Sequence, residues 1–555
     1  MNYMSKNIVL QRVKIDYLVS IYLAMFLAYQ VSLILKGGTT WDDLLLLETT
    51  PRIIEKYRLF FADRSNPFLS EFSSNFEFYG FLILLPTYLF SNNLVVLKIF
   101  HFLFNDFMSL GIRNEEEIEY ILRHIFLNIY LVLALFLVYK IYSKISDDKY
   151  SFLFILVLTF IPLVNGHALF NLKDIPFMVQ NLLASSFFLY YLKNIKNNSY
   201  REDIKLGIFF GLLLLVRLNG FAFIFICFSF FFLYVNKNLE SIKQFIFSWF
   251  RIMFTSLIVL IIGTPSAWQK PRLWFEESIN TQFNIYWDSY VLTNGNFSFA
   301  MDVNPFYLIT WLNFKLPLIF HVSLFFTLFF IITEISNKSK RATTTLIYSA
   351  YFIAVVIAGF IYLRPVVYDG IRQYLFLVPF FVLLFVETLR VINLRQNVKI
   401  IFLLIIFTYL GYTQWGLGPY KYIYFNELAD ETNITLDCNE VGGCGDWQTD
   451  YWGYSGKELM KVLNYKEVSG EVYFCNPEHV FTTYFENNNL KIINNINSKN
   501  KEFYLVYIHR PMLKNDICGF NNLDIKVECE NFIVEKTTLR SEDIFLSYVD
   551  KCKSV

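Results

Sequence analysis

The sequence predicts an all-α polytopic membrane domain with a smaller α+β domain outside the cytoplasm, and three observations lead there. Of 555 residues, 55% are hydrophobic and 19% aromatic. Only 17% are charged, against roughly 25% in soluble globular domains. Long apolar runs recur between residues 17 and 416, after which the chain turns polar and rich in cysteine. With 62 Phe and 37 Tyr, the apolar load exceeds what one soluble core absorbs. A net charge of +1 gives no electrostatic footprint for nucleic acid.

Crossing the hydrocarbon takes roughly 17–25 residues of helix. Such runs lie near 17–35, 124–142, 151–166, 175–192, 206–218, 220–235, 246–264, 316–334, 345–363, 374–391 and 400–416, about eleven transmembrane helices in all. The first run is span-length and carries no small-residue cleavage site, so it reads as an anchor rather than a removable leader. The stretch 78–104 is broken by Pro86, Asn92 and Asn93 and reads as a hairpin through the membrane or as helices in the interface.

Lys and Arg collect at Lys6/Arg12/Lys14, Lys144/Lys149, Lys193/Lys196/Arg201/Lys205, Lys237/Lys243, Lys338/Lys340/Arg341 and Arg390/Arg395/Lys399. With the N-terminus in and no net crossing by 78–104, all six clusters fall on the cytoplasmic side, as the positive-inside rule asks. The C-terminus is then out. Domain organisation follows: residues 1–416 form the multi-span domain with an outer loop at 37–122, and 417–555 form an extracytoplasmic domain. That domain alternates like a strand at "GEVYFCN" (470–476) and "KEFYLVYIH" (501–509). It holds Cys438, Cys444, Cys475, Cys518, Cys529 and Cys552, which point to disulfides of undetermined pairing. Cys227, inside an apolar run, reads as buried filler. A composition rich in Asn, Ile, Lys, Phe and Tyr suggests an AT-rich bacterial genome, hence the bacterial inner (plasma) membrane.

Charges within the chain's membrane part cluster at the outer breaks. The first outer loop opens "GGTTWDDLLLLETT" (37–50), placing Asp42 and Asp43 just after the first span. Adjacent carboxylates there suit a general base or a divalent cation, and they equally suit a helix start capped by Thr40; the two readings are compatible. The second break, "GHALFNLKDIPF" (166–177), carries His167, Lys173 and Asp174, with Pro176 marking a helix start. Neighbours in sequence do not face each other on a helix, so Lys173 and Asp174 each seek a separate partner. His167 reads either as a contact to ligand or as a satisfied interfacial histidine. The third break, "LRPVVYDGIRQYLFLVP" (363–379), offers Arg364 and Arg372 as a phosphate fork and Asp369-Gly370 as a tight turn. Arg217 and Asn219 in "VRLNG" fall near the same boundary.

These motifs resemble the GT-C superfamily of membrane glycosyltransferases. The chain is most similar to the bacterial branch related to protein O-mannosyltransferases and the lipid A aminoarabinose transferase. The acidic pair after the first span, "NLKDIPF" and "YDGIRQYLFLVP" carry the likeness, with "GPYKYIYFNELAD" (418–430) and "TDYWGYSGKEL" (449–459) adding to it. The resemblance implies a polyprenyl-phosphate sugar donor and an acceptor glycan, lipid or protein, met among membrane lipids on the outer face. It implies inverting single displacement with Asp42 and Asp43 as the catalytic carboxylates. Lys173, Arg364 and Arg372 would hold the donor phosphate, and Asp174, Asp369 and His167 would organise the site. Gln373 stands where many relatives have His. No cofactor is required beyond a divalent cation that Asp42 or Asp43 would hold, if any. Two further functions fit the same charges: a lipid-linked saccharide transporter or flippase, and a polymerase or ligase using diphosphate-linked oligosaccharides.

Overall fold

The computed structural model describes residues 2–71, 75–78, 81–103, 115–195, 199–234, 239–283, 290–336, 343–430, 434, 445–496, 501–509, 518 and 527–554. Its first part is helical. The chain runs α1 (Asn2–Ile34), α2 (Trp41–Ala62), α3 (Phe81–Ser91), α4 (Leu94–Leu103), α5 (Glu115–Tyr142), α6 (Asp148–Phe160), α7 (Pro162–His167) and α8 (Asp174–Lys193). It continues with α9 (Tyr200–Val216), α10 (Gly220–Tyr234), α11 (Leu239–Ile262), α12 (Pro271–Phe283) and a small hairpin, β1 (Tyr290–Thr293) and β2 (Asn296–Phe299). Then come α13 (Tyr307–Lys315), α14 (Leu318–Ser336), α15 (Thr344–Leu363), a 3₁₀ turn at Arg372–Leu377, α16 (Val378–Val391) and α17 (Gln396–Gln414).

Seven of these segments are long and apolar enough to cross a membrane, and the number rises to nine if two bent helix pairs each count as one span. The sequence reading of about eleven separately counted the runs at 151–166, 206–218 and 220–235. There the structure has helices of 13, 6, 17 and 15 residues. At about 1.5 Å per residue, those of 13, 6 and 15 residues fall short of the hydrocarbon thickness, and the 17-residue helix stands at the lower limit for a span. The uncertain 78–104 stretch is one of the bent pairs, α3 and α4, turned by 64°. Asn93 makes that bend: its side-chain oxygen accepts from the Val95 and Val96 amides at 2.9 and 3.2 Å and so starts α4. Pro86 lies inside α3 without ending it.

The hydrophobic core is centred on α8, whose spanning window is 94% buried, and on α16. A helix enclosed on all sides needs apolar residues all round, and "IPFMVQNLLASSFFLYYL" supplies them. After α17 the chain does not leave the helical part. Leu417, Tyr422, Phe425 and Tyr451–Tyr454 pack into its core.

A second core begins at α18 (Gly456–Tyr465) and is built on a five-stranded sheet. Its members are β3 (Gly470–Phe474), the short α19 (His479–Thr482), β4 (Leu490–Ile492), β5 (Glu502–Ile508), β6 (Val527–Leu539) and β7 (Glu542–Ser554). The strand order is β4-β3-β5-β7-β6, parallel at β4/β3 and β3/β5 and antiparallel beyond. β3 and β5 fall on the two strand-like stretches of the sequence. Disulfides join Cys475 to Cys518 and Cys529 to Cys552. Cys438 and Cys444 lie outside the described residues, and Cys227 is a buried free thiol.

Candidate active site

The breaks at 37–50, 166–177 and 363–379 converge on one cavity of about 830 Å³. Its polar wall carries Asp42 from α2, Lys173 before α8, Arg217 after α9, and Asp369 and Arg372 from the break before α16. The rest of the lining is mostly apolar, with Phe177, Phe223, Phe225, Ile226, Val355 and Phe360. Two of the apolar lining residues, Phe225 and Leu363, are 66% and 67% exposed.

The first turn of α2 separates the two acidic residues. Asp43 Oδ2 accepts from the Thr40 amide at 2.7 Å and the Thr40 hydroxyl at 2.8 Å, and Oδ1 lies 3.1 Å from His124 Nε2. Asp43 therefore caps the helix and ties it to α5, outside the cavity lining. Burial alone would raise its carboxyl, but the His124 ring and the Thr40 donors outweigh that and hold it below the usual range. Asp42, one residue earlier, is left facing the cavity. Its Oδ2 lies 2.6 Å from Lys173 Nζ and 3.8 Å from Arg372 Nη1. Burial lowers the Lys173 ammonium, and Asp42 works against that fall.

The start of α8 is organised by Asn171, which sequence reasoning passed over. Its side-chain oxygen accepts from the amides of Lys173 (3.2 Å) and Asp174 (2.8 Å), and its NH₂ donates to Asp174 Oδ2 at 2.9 Å. The same NH₂ lies 3.2 Å from His167 Nδ1, and His167 Nε2 is 3.4 Å from the Tyr451 hydroxyl. His167 is fully buried, and burial pushes its pKa down to about 3, so it sits there as a neutral ring. Asp174 pairs with Arg217 Nη2 at 2.5 Å and faces Arg372 Nη1 at 3.7 Å.

Arg372 is the hub. Besides Asp42 and Asp174, it meets Asp369 at 2.9 Å through Nη2, and its guanidinium lies over the rings of Tyr368 and Trp452. The turn that aims it is left-handed at Asp369 (φ 56°) and Gly370 (φ 68°). A side chain at 370 would also press on the Trp311 ring, 3.1 Å from the position of its Cβ, so glycine fits there. Arg364 goes elsewhere. It ends α15 in a left-handed cap, is exposed, and does not line the cavity.

Segment 445–455 roofs the site. Trp452 and Tyr451 line the cavity, the Trp452 carbonyl accepts from the Trp41 amide at 2.8 Å, and His479 Nε2 lies 2.9 Å from the Thr40 carbonyl. Lys457 bridges to Glu117 at 2.8 Å. The signal for these residues was the "TDYWGYSGKEL" motif, whose spacing says nothing about which members face inward.

A divalent cation does not fit this donor set. Asp42 Oδ2 already has two cationic neighbours, and both Asp43 oxygens are turned to Thr40 and His124. Among the described residues no three His, Cys, Asp or Glu side chains gather to hold a metal.

No family model matches the chain, and no curated protein matches it. Among solved structures, it is similar to ArnT from Cupriavidus metallidurans bound to undecaprenyl phosphate, with 11% identity over 98% of each chain and a TM-score of 0.46. It is also similar to the Archaeoglobus fulgidus oligosaccharyltransferase. In complex with Zn and sulfate, that enzyme aligns with 14% identity over 84% of this chain and 62% of its own, TM-score 0.40. Tethered with an acceptor peptide containing the NVT sequon, it aligns with 13% identity over 86% and 64%, TM-score 0.42. The chain thus spans less than two thirds of the oligosaccharyltransferase's length.

Proposed function

We propose that the chain is a glycosyltransferase that moves a sugar from a polyprenyl-phosphate-linked donor to an acceptor hydroxyl at the outer end of its helices. The observation that carries this reading is the mixed lining of the cavity: cations and carboxylates beside many aromatic and aliphatic side chains, some of them exposed. Such a lining takes an amphiphile with an anionic head and a long apolar tail.

Lys173, Arg217 and Arg372 would grip the phosphate, taking the place given to Arg364 in the sequence reading. A phosphate ester is already a competent leaving group and needs no protonation. What it needs is compensation for the charge that grows on its oxygen as the sugar C1–O bond breaks, which fixed cations in a dry site supply. Asp42 would accept the proton of the acceptor hydroxyl as that oxygen bonds to C1, and the lipid phosphate would leave with the electron pair of the broken bond. One carboxylate suffices, the anomeric configuration inverts, and no sugar–enzyme bond forms. Asp43 and His124 position Asp42; Asn171 and His167 position Asp174. The motif resemblance to GT-C enzymes supports the same reading.

The test is transfer of radiolabelled sugar from a panel of polyprenyl monophosphate and diphosphate donors in membranes, wild type against Asp42→Asn. Transfer from a monophosphate donor that the variant loses by about 10²–10⁴-fold is the expected result. Equal transfer by both forms removes Asp42 from the mechanism. Turnover only with diphosphate donors favours the polymerase or ligase function, and translocation without transfer favours the flippase.

A further inference from the structure

A second cavity, of about 190 Å³, lies at the other end of the same helices. It is lined by Lys193 at the end of α8, Thr343, Thr344 and Thr345 at the start of α15, Arg390 near the end of α16, and by Ile145 and Leu189. The first cavity sits at the opposite terminus of each of these three elements: Lys173 precedes α8, Leu363 ends α15, and Arg372 opens the turn into α16. Twenty residues of α8 separate the two, about 30 Å at 1.5 Å per residue, which is the thickness of the hydrocarbon. The small cavity therefore lies at the level of the other membrane interface.

Its donors are only partly committed. Lys193 gives two of its three hydrogens to the carbonyls of Lys144 (2.9 Å) and Ile145 (3.1 Å). Arg390 uses Nη1 on Glu387 at 3.1 Å and Nε on Asp147 at 3.5 Å, which leaves Nη2. Glu387 is itself turned inward, bonded by Tyr142, by Thr343 at 2.6 Å and by Ser146 at 3.3 Å. The Thr343 hydroxyl accepts from the Leu346 amide at 3.1 Å. Thr345 is 1% exposed and lines the cavity, and among the described residues no hydrogen-bond partner is found for its hydroxyl. Its amide, in the first turn of a 20-residue helix, has no intrahelical acceptor.

We propose that this cavity is a binding site for a phosphate group, held by Lys193, Arg390, the Thr345 hydroxyl and the first-turn amide of α15. Two cationic side chains with donors to spare, the Thr345 residue and the positive end of a long helix border one small space, and all four favour the same tetrahedral anion. Ile145 and Leu189 give the cavity an apolar side, which suits the glycerol ester of an anionic phospholipid. The same donors take free phosphate.

The test uses the full chain in nonionic detergent and reads the rise in melting temperature with added short-chain phosphatidylglycerol, short-chain phosphatidylcholine or inorganic phosphate. We expect phosphatidylglycerol to stabilise the wild type, with its half-saturating concentration raised about ten-fold by Thr345→Val, the loss of one hydrogen bond to a charged group. Arg390→Gln should raise it further. If inorganic phosphate gives the same variant-sensitive response, the ligand is the free ion; if only the lipid does, it is the headgroup. Thr345→Val is isosteric and decides alone should Arg390→Gln not fold. Arg217→Gln, in the first cavity, should leave the midpoint unchanged; a shift there would assign the response to the first cavity and overturn the proposal. Equal midpoints in wild type and Thr345→Val, or no response to any probe, would overturn it too.

Discussion

The Lys173 ammonium lies 2.6 Å from Asp42 Oδ2, so the proposed base is paired with one of the proposed phosphate ligands. Both side chains are mostly buried, where a charge without a partner is costly. An incoming lipid phosphate would draw Lys173 and Arg372 towards itself and leave Asp42 to the acceptor hydroxyl. Base and donor site are thus one electrostatic unit.

Replacing the two members should therefore split the kinetics. Asp42→Asn removes proton acceptance and lowers kcat by about 10²–10⁴-fold with donor KM little changed. Lys173→Gln removes a charge-assisted bond to phosphate, worth about 1.5–3 kcal/mol, and raises donor KM by about ten- to a hundred-fold. Steady-state transfer assays over a range of donor concentrations check the split. Identical effects of both variants on kcat alone would contradict the assignment.

Asp43 should act through stability. Its carboxylate holds Thr40 and His124, and its pKa is depressed from 3.8. A depressed carboxyl contributes stability above its unfolded pKa and loses it as pH falls through the folded one. The melting-temperature gap between wild type and Asp43→Asn should thus shrink as pH falls below about pH 4. Its size should correspond to about 1–3 kcal/mol. Thermal melts across that pH series measure it.

The sequence made the acidic pair, the Lys-Asp break and the Arg372 turn legible because each puts charge where apolar residues are the rule, and charge at a membrane boundary needs a reason. It could not say that adjacent aspartates diverge: that depends on the helical turn between them and on His124, 81 residues away. Arg364 and Arg372 looked equivalent in the motif. Only the backbone decides, since a left-handed cap sends one outwards and a left-handed turn sends the other in. Asn171 heads the "NLKDIPF" motif but drew no role of its own, for an uncharged amide between Phe170 and Leu172 looks like any loop residue. The β6–β7 hairpin was missed because the exposed first half of β6, with Glu528 and Glu530, hides a strand that β7 makes by pairing.

The two arginines give a direct comparison. Arg217 lies 2.5 Å from Asp174 and lines the cavity, whereas Arg364 is exposed and does not. Arg217→Gln should cut kcat/KM for the donor at least ten-fold more than Arg364→Gln does, measured side by side in one membrane assay. A larger loss from Arg364→Gln would restore the phosphate fork of the third break.

Two glycine-to-alanine substitutions should move stability in opposite directions. A Cβ on Gly166 would stand 2.1 Å from the Tyr422 nitrogen and 2.5 Å from the Lys421 carbonyl carbon. Both are backbone atoms, so nothing flexible can yield, and α7 would be pushed from the turn at 421–423. That contact matters to the site because the next residue, His167, reaches Tyr451, while Tyr422 is bonded to Asp450 at the base of the 445–455 roof. Overpacking of this kind costs about 1–3 kcal/mol. Gly359, inside α15, has nothing within 4 Å of its Cβ position, and there alanine relieves the entropy that glycine brings to a helix, about 0.5–1 kcal/mol. Gly166→Ala should lower the melting temperature and the transfer activity together; Gly359→Ala should raise the melting temperature. A Gly166→Ala protein that melts and turns over like the wild type would mean that α7 and the 421–423 turn do not approach as closely as the fold requires.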